Sequence, residues 1–186
     1  MYERNIVTGK IMTIARTAEI AALIGMLIIA AVFVFAVYFL VGDGGQADVY
    51  ISRQFLDEGV KASFTISQRL VGAGIMLLPD FLGLFALYTA RKLFAGYQCG
   101  EVFTALAATR LKMIGWALVL LAPVSQIADT IAIYYITSIA EPKRVRINIS
   151  LEDTHVYAIV FGLLIVVVGY VMYEAVRIAD ENKRFV

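Results

Sequence analysis

The sequence contains one cysteine and one histidine, and these two scarcities limit the chemistry that the chain can perform by itself. An intrachain disulfide needs two cysteines, and a structural zinc site takes four protein ligands, which are usually Cys and His. Haem held by two histidines of one chain is excluded for the same reason. The sequence also lacks the Gly-rich phosphate-binding loops and the Gly-x-Ser-x-Gly nucleophile turn. We therefore expect no cofactor, no metal and no catalytic activity.

Charged residues are scarce as well, at 17% of the chain, whereas hydrophobic residues make up 61% and the mean hydropathy is +0.81. Soluble domains are nearer to half apolar, so this composition predicts a membrane protein. The formal net charge is only +1. Direct binding to nucleic acid is not expected, because it depends on a basic surface.

Four apolar segments are each long enough to cross the hydrocarbon core, which takes about 20 helical residues. They lie at about 20–41, 70–88, 113–136 and 156–173. Pro79 and Asp80 are expected to break the second segment, and Pro123 the third. Residues 1–186 are thus predicted to form a single all-α integral membrane domain with four transmembrane helices. The alternative for the first segment is a signal peptide ending near Gly45, but the apolar region of such peptides spans only about 7–15 residues.

Four spans place both termini on the same side of the membrane. Lys and Arg are more frequent on that side, which includes the loop between the second and third spans, than on the other. The positive-inside rule then predicts cytoplasmic termini. The segment between the first and second spans, 42–67, is predicted to be a polar loop that begins with a Gly-rich turn. Two loop segments on the outer side, 60–67 and 144–151, alternate apolar and polar residues as strands do. They predict a small outer β-patch, and the alternative is two amphiphilic loops lying on lipid head groups.

Acidic residues inside the spans are the main candidates for a functional site, because buried carboxylates in membranes often mark cavities or proton paths. Asp80 lies near the centre of the second span and Asp129 in the outer half of the third. One hypothesis is a ligand or proton site formed by Asp80, Gln126 and Asp129, with Arg69 or His155 closing its outer mouth. The alternative is interhelical hydrogen bonding that holds the bundle together.

Small residues and caps indicate how the helices start and pack. Thr104 is a predicted N-cap for the helix that becomes the third span. Several glycines on the second and fourth spans would permit close helix approach: Gly72, Gly74, Gly83, Gly162 and Gly169.

Two stretches, the loop after the second span and the C-terminal tail, carry a family resemblance. The loop pattern comprises Leu93-Phe94, Tyr97, Gly100, Phe103-Thr104, Leu111 and Ile114-Gly115-Trp116, and the tail pattern comprises Glu174-Ala175, Arg177-Ile178, Asp180-Glu181-Asn182 and Phe185-Val186. From about Leu70 onward, the chain resembles a bacterial four-span membrane family of unknown function, domain-of-unknown-function family 2975. The resemblance implies a multi-pass protein of the bacterial plasma (inner) membrane, and no established reaction.

The same two stretches suggest contacts at the inner membrane interface. Glu174 and Arg177 are three residues apart and therefore share a helix face. We expect Glu174 to contact Arg110 or Arg91, with Trp116 just inside the membrane. The alternative is that these charges are solvated at the head groups.

The sequence therefore predicts a non-catalytic accessory, assembly or regulatory subunit that contacts other membrane proteins, or itself, within the lipid bilayer. The alternative is a small transporter or ligand-binding membrane protein that uses a polar site around Asp80 and Asp129.

Overall fold

The computed structural model describes residues 2–42, 44–56, 60, 62–141 and 153–183, and all regular structure in these ranges is helical. Six helices follow one another along the chain: α1 (Tyr2–Gly42), α2 (Gly44–Phe55), α3 (Ile66–Met76), α4 (Leu78–Gln98), α5 (Ala105–Ala140) and α6 (Asp153–Lys183). In the described ranges, α5 packs most extensively against α6, and α4 packs against both α1 and α5.

Three of these helices contain a segment long and apolar enough to cross a membrane: Met12–Gly42, Ala105–Ala140 and Asp153–Asn182. Helices α3 and α4 meet at a 43° bend and provide a fourth span if the pair is counted as one. The prediction of a multi-pass, helical membrane protein is confirmed at this level. Whether the chain spans four times depends on the path of the bent pair.

The two prolines of the spans behave differently. The predicted break near Pro79 is confirmed, because α3 ends at Met76 and Pro79 occupies the first turn of α4, a position where its missing N–H costs nothing. The predicted break at Pro123 is wrong, since α5 runs through it without interruption. Close packing of α6 against α5 one turn earlier, where Gly162 lies next to the Val119 backbone, supports the helix there.

The segment predicted to be a polar loop, 42–67, instead contains α2. Its apolar positions Ala47, Ile51 and Phe55 recur every four residues and therefore lie on one helix face. Ile51 joins a buried apolar cluster with Phe64 and Ile136. Helix α2 and the described residues of 56–65 thus form a cap over one end of the bundle, which we call the capped end.

The predicted β-patch is not found in the part of the chain that the structure describes. Residues 62–65 are irregular, and α3 begins at Ile66, where the alternating pattern had predicted a strand. The Thr65 hydroxyl and the Gln68 side chain form a capping box that starts the helix instead. The partner segment, 144–151, lies outside the described residues.

The turn between α4 and α5 lies at the opposite end of the bundle. Gly100 adopts a left-handed conformation, with φ +82°, which lets the Glu101 N–H bond the Gly96 carbonyl at 3.0 Å and the Gly100 N–H bond the Tyr97 carbonyl at 3.1 Å. This is a Schellman motif that ends α4. Thr104 then accepts a hydrogen bond from the Ala107 N–H at 3.1 Å, so its predicted role as an N-cap is confirmed.

Candidate functional site

Asp80 lies in a groove between α1 and α4 whose other lining residues are all apolar. The groove has a volume of about 250 Å³ and is lined by Ile29, Ala30, Phe33, Val34, Leu77, Asp80, Phe81 and Leu84. We call it the Asp80 groove. The α1 residues that line it come from the middle of the uncharged run 20–41, so Asp80 lies at about the middle of the predicted membrane.

The Asp80 carboxyl group faces outward from the helix bundle. The residue is exposed, as are its neighbour Phe81, at 62%, and Val34 across the groove, at 65%. Among the residues that the structure describes, none forms a hydrogen bond or ion pair with the Asp80 side chain. Asp80 lies in the first turn of α4, where its own N–H donates to the Leu77 carbonyl at 3.1 Å. The groove therefore presents a polar group on a surface that otherwise suits hydrocarbon.

The other residues of the predicted polar site lie elsewhere. Gln126 and Asp129 are half-buried on α5, and neither lines the Asp80 groove. The Thr130 hydroxyl donates to the Gln126 carbonyl at 2.8 Å. The structure thus does not place the two α5 residues in the groove that holds Asp80. Sequence gives the depth of a residue in a span, but it does not give the direction that the residue faces.

His155 bonds to α5 through Ser125. The distance from Ser125 Oγ to His155 Nε2 is 3.0 Å, and the Ser125 hydroxyl donates to the Ala122 carbonyl at 2.9 Å. His155 therefore links α6 to α5 and is not grouped with Arg69.

Arg69 is buried at the capped end, where it pairs with Asp48 of α2. Its Nη2 lies 2.9 Å from Asp48 Oδ1, its Nε donates to the same oxygen at 3.0 Å, and its Nη1 donates to the Leu40 carbonyl at 3.3 Å. Asp48 Oδ1 also accepts the Phe64 N–H at 3.1 Å. Arg69 thereby connects α3 to α1 and α2 and fastens the cap. Asp48 was not predicted from the sequence. It lies four residues before Ser52, so these two polar residues share one face of α2, and this spacing could have indicated a polar helix face.

At the opposite end, the predicted contact between Glu174 and Arg110 or Arg91 is wrong. Glu174 pairs with Arg177 of its own helix, and Arg177 also binds Glu181 at 3.2 Å. Residues at i,i+3 spacing are neighbours on a helix surface, so Glu174 and Arg177 can pair without a contact between helices. Trp116 is 45% exposed on α5.

The two arginines of the α4–α5 region have other partners. Arg91 Nε lies 3.5 Å from Glu19 of α1, and Gln98 donates to the same carboxylate at 2.6 Å. Arg110 donates to the Lys92 carbonyl at 2.7 Å. These contacts join α1, α4 and α5 at the end of the bundle that carries the α4–α5 turn. Glu19 is thus a structural residue that the sequence pattern did not reveal.

Helices α5 and α6 cross where three glycines remove side chains from the interface. An added Cβ at Gly115 would lie 2.7 Å from the Val166 nitrogen, and one at Gly162 would lie 2.8 Å from the Val119 nitrogen. A Cβ at Gly169 would lie 3.0 Å from the Lys112 nitrogen. The predicted close approach is confirmed for Gly162 and Gly169. It is not found at Gly72, Gly74 or Gly83, where an added Cβ would meet nothing nearer than 3.9 Å.

No group of three or more His, Cys, Asp or Glu side chains lies close enough to hold a metal ion in the described ranges. The polar group of the Asp80 groove is a single carboxyl group among apolar side chains.

A comparison of the sequence with protein-family models identifies one family. The family model described as "Protein of unknown function (DUF2975)" matches residues 54–185, which takes in α3 to α6 and the end of α2. The chain belongs to this family. The match confirms the resemblance drawn from the loop and tail patterns, and it begins earlier in the chain than those patterns did. No curated protein and no solved structure matches this DUF2975 member.

Proposed function

We propose that this DUF2975 protein is a non-catalytic subunit of a membrane assembly and that a transmembrane helix of its partner occupies the Asp80 groove. The observation that supports this role is the outward-facing carboxyl group of Asp80 in a groove of apolar side chains. An acidic residue at the centre of a membrane helix costs about 2.5–3.5 kcal/mol on insertion scales. A partner group that pairs with Asp80 removes much of this cost.

Charge complementarity defines the chemistry of the partner. A carboxylate in hydrocarbon is satisfied best by Lys, Arg or another hydrogen-bond donor at the same depth. The predicted spans of this chain, 20–41, 70–88, 113–136 and 156–173, contain no Lys or Arg. A second copy therefore has no cation to offer Asp80, and we assign the groove to a different membrane protein that carries a basic residue near the middle of a span.

The shape of the groove fits a helix. Its walls come from two neighbouring helices, α1 and α4, and its apolar residues Ile29, Phe33 and Phe81 flank the carboxyl group. Side chains at such spacing receive the ridge of a third helix. In this proposal the protein resides in a bacterial inner membrane with both termini in the cytoplasm, and the groove lies between α1 and α4, of which α4 belongs to the part matched by the DUF2975 model.

The alternative role, a transporter or ligand-binding protein built on Asp80 and Asp129, draws less support. Asp129 does not line the groove that holds Asp80. We therefore favour the accessory role.

Extraction of the native protein in mild detergent tests the proposal. The wild-type chain is expected to elute in a stoichiometric assembly with a protein that has Lys or Arg in the middle of a span. Asp80→Asn should reduce the assembled fraction at least fivefold, whereas the matched variant Asp129→Asn should not. Assembly that persists in Asp80→Asn, or equal loss in both variants, would refute the assignment.

A further inference from the structure

A second recess lies beneath the cap, between α2 and the ends of α1, α3 and α5. It encloses about 210 Å³. Phe64, Gly72 and Ile136 form its buried inner wall. Its mouth is marked by exposed side chains of Tyr50, Gln54 and Met76. We call this recess the cap cavity.

The cap cavity carries almost no net charge. Arg69 is the one charged residue among its described lining residues, and the ion pair with Asp48 at 2.9 Å already satisfies that charge. An anionic ligand would have to compete with Asp48 for Arg69. The cavity therefore favours a ligand without a charged group.

Three polar side chains near the mouth are left with hydrogen-bonding capacity. The Gln68 carbonyl oxygen accepts the Thr65 N–H at 2.9 Å, which leaves its amide nitrogen with no acceptor among the described residues. The side-chain amide of Gln54 and the hydroxyl of Tyr50 likewise form no hydrogen bond within the described part of the chain. All three residues line the cap cavity, Tyr50 and Gln54 as exposed residues and Gln68 as a half-buried one. They suit a hydroxyl or carbonyl head group that stays at the mouth.

The apolar interior suits hydrocarbon better than water. A buried water needs two to four polar partners, and apolar cavities of about 150 Å³ in other proteins stay dry and take up small apolar molecules. The cap cavity is larger than this, and its wall of Phe64, Gly72 and Ile136 offers no hydrogen-bonding side chain. Filling it with methylene groups would restore the dispersion contacts that an empty space lacks.

We infer that the cap cavity binds one hydrocarbon chain whose polar head is uncharged and is held at the mouth by Gln54, Gln68 and Tyr50. This site is separate from the assembly role proposed above, because it shares only Leu77 with the Asp80 groove and none of its polar residues. The chain belongs either to a free single-chain amphiphile or to a lipid of the bilayer, and the two sources share the same chemistry inside the cavity.

Photolabelling of the purified full-length protein in phosphatidylcholine nanodiscs tests this inference. The probe is a long-chain alcohol with a diazirine near the end of its chain, and peptide mapping locates the label. We expect saturable labelling of the peptides that contain Phe64 and Ile136, with competition by the unlabelled alcohol. Labelling that does not saturate, or that is spread evenly over the lipid-facing helices, would overturn the site.

Gly72 and Gly74 supply a matched pair of variants. Gly72 lines the cavity, and an added Cβ there meets only Ile136 Cδ1 at 3.9 Å. A larger side chain at this position can therefore enter the cavity. At Gly74, which is not among the lining residues, an added Cβ meets nothing within 4 Å. Gly72→Leu should reduce labelling at least tenfold, and Gly74→Leu should leave it unchanged. Equal labelling of both variants would overturn the proposal. Ala36→Leu, which fills the cavity from α1, replaces Gly72→Leu if the latter does not fold.

Two further probes identify the head group and the source. A fatty acid with the same diazirine, used at pH 8, should label at least fivefold less than the alcohol, and equal labelling would refute an uncharged head. A diacylglycerol with the diazirine in one chain tests the bilayer as the source, because its head group is an uncharged hydroxyl. If it labels the cavity and the unlabelled alcohol displaces it, a lipid of the bilayer can supply the chain. If it does not label the cavity whereas the alcohol probe does, the source is a free single-chain amphiphile, and if neither probe labels it, the site is refuted.

Discussion

Gly115 of α5 and Gly162 of α6 lie in backbone contact, so that a Cβ on either residue would come within 2.8 Å of the carbonyl oxygen of the other. Apolar side chains gain little by leaving lipid for one another, so helix association in membranes relies on close packing of this kind. The α5–α6 hairpin is therefore expected to be the most stable part of the bundle, with α1, α4 and the cap arranged around it.

Gly115→Ala tests this contact. The added methyl group would clash with backbone atoms of Val166 and Gly162, which cannot move aside as a flexible side chain can. We expect a loss of about 1–3 kcal/mol in the free energy of unfolding, as is usual for overpacking. Unfolding in mixed detergent micelles, followed by circular dichroism, measures it.

Gly74→Ala is the matched control for that variant. An added Cβ at Gly74 meets nothing within 4 Å, and the residue lies inside α3. Alanine favours a helix over glycine by roughly 0.5–1 kcal/mol. Unchanged or raised stability is therefore expected, and a loss equal to that of Gly115→Ala would contradict the packing account.

The ion pair of Arg69 and Asp48 gives a second prediction. Arg69→Met leaves Asp48 without its cation in a largely buried place, and breaking such a pair costs about 3–5 kcal/mol. The double variant Arg69→Met/Asp48→Leu should be more stable than Arg69→Met, because it leaves no uncompensated charge. Hydrogen exchange of the α2 amides should show the cap released in the single variant and largely restored in the double one. Equal protection in wild type and Arg69→Met would show that the pair does not fasten the cap.

The path of the bent pair α3–α4 determines the third prediction. If the pair is one span, Cys99 lies on the side of the membrane opposite the cap; if it is a re-entrant loop, the two lie on the same side. Cys99 is exposed and is the one cysteine of the sequence, so labelling has no background. We expect an impermeant maleimide to leave Cys99 unlabelled in intact spheroplasts and to label it after permeabilisation.

Val49→Cys in a Cys99→Ser background completes this experiment. Val49 is 47% exposed on α2. It should be labelled in intact spheroplasts. Labelling of Cys99 and of the new cysteine from the same side would exclude the four-span topology and would place the two termini on opposite sides.

Some features of this molecule could be predicted from its sequence because their cause is local. Long apolar runs locate the helices that can span a membrane, Thr104 caps the helix that follows it, and Gly162 permits close packing. Each of these depends on residue type and on spacing within a few turns. The cap helix α2 was also readable in principle from the four-residue period of Ala47, Ile51 and Phe55, but the glycines before it favoured a loop.

Other features depend on the rotation and partners of whole helices, which one sequence does not reveal. Asp80 and Asp129 both lie in apolar spans, yet Asp80 lies in the exposed groove between α1 and α4, and Asp129 does not line that groove. From the sequence, Glu174 could pair with any of several arginines. In the structure its carboxylate accepts a hydrogen bond from Arg177 of the same helix. Depth was therefore predictable for the candidate site, and direction was not.

Site-specific photo-crosslinking from the Asp80 groove tests the proposed assembly most directly. A benzophenone amino acid replaces Phe81, which lies in the groove and is 62% exposed, and for comparison it replaces Phe161, which is 60% exposed on α6. Position 81 should give one discrete adduct with a membrane protein that carries Lys or Arg in the middle of a span. Asp80→Lys should abolish the adduct, and exchanging the partner's basic residue for Asp should restore it. The same adducts from positions 81 and 161, no adduct at position 81, or a partner without a basic residue at that depth would contradict the proposal.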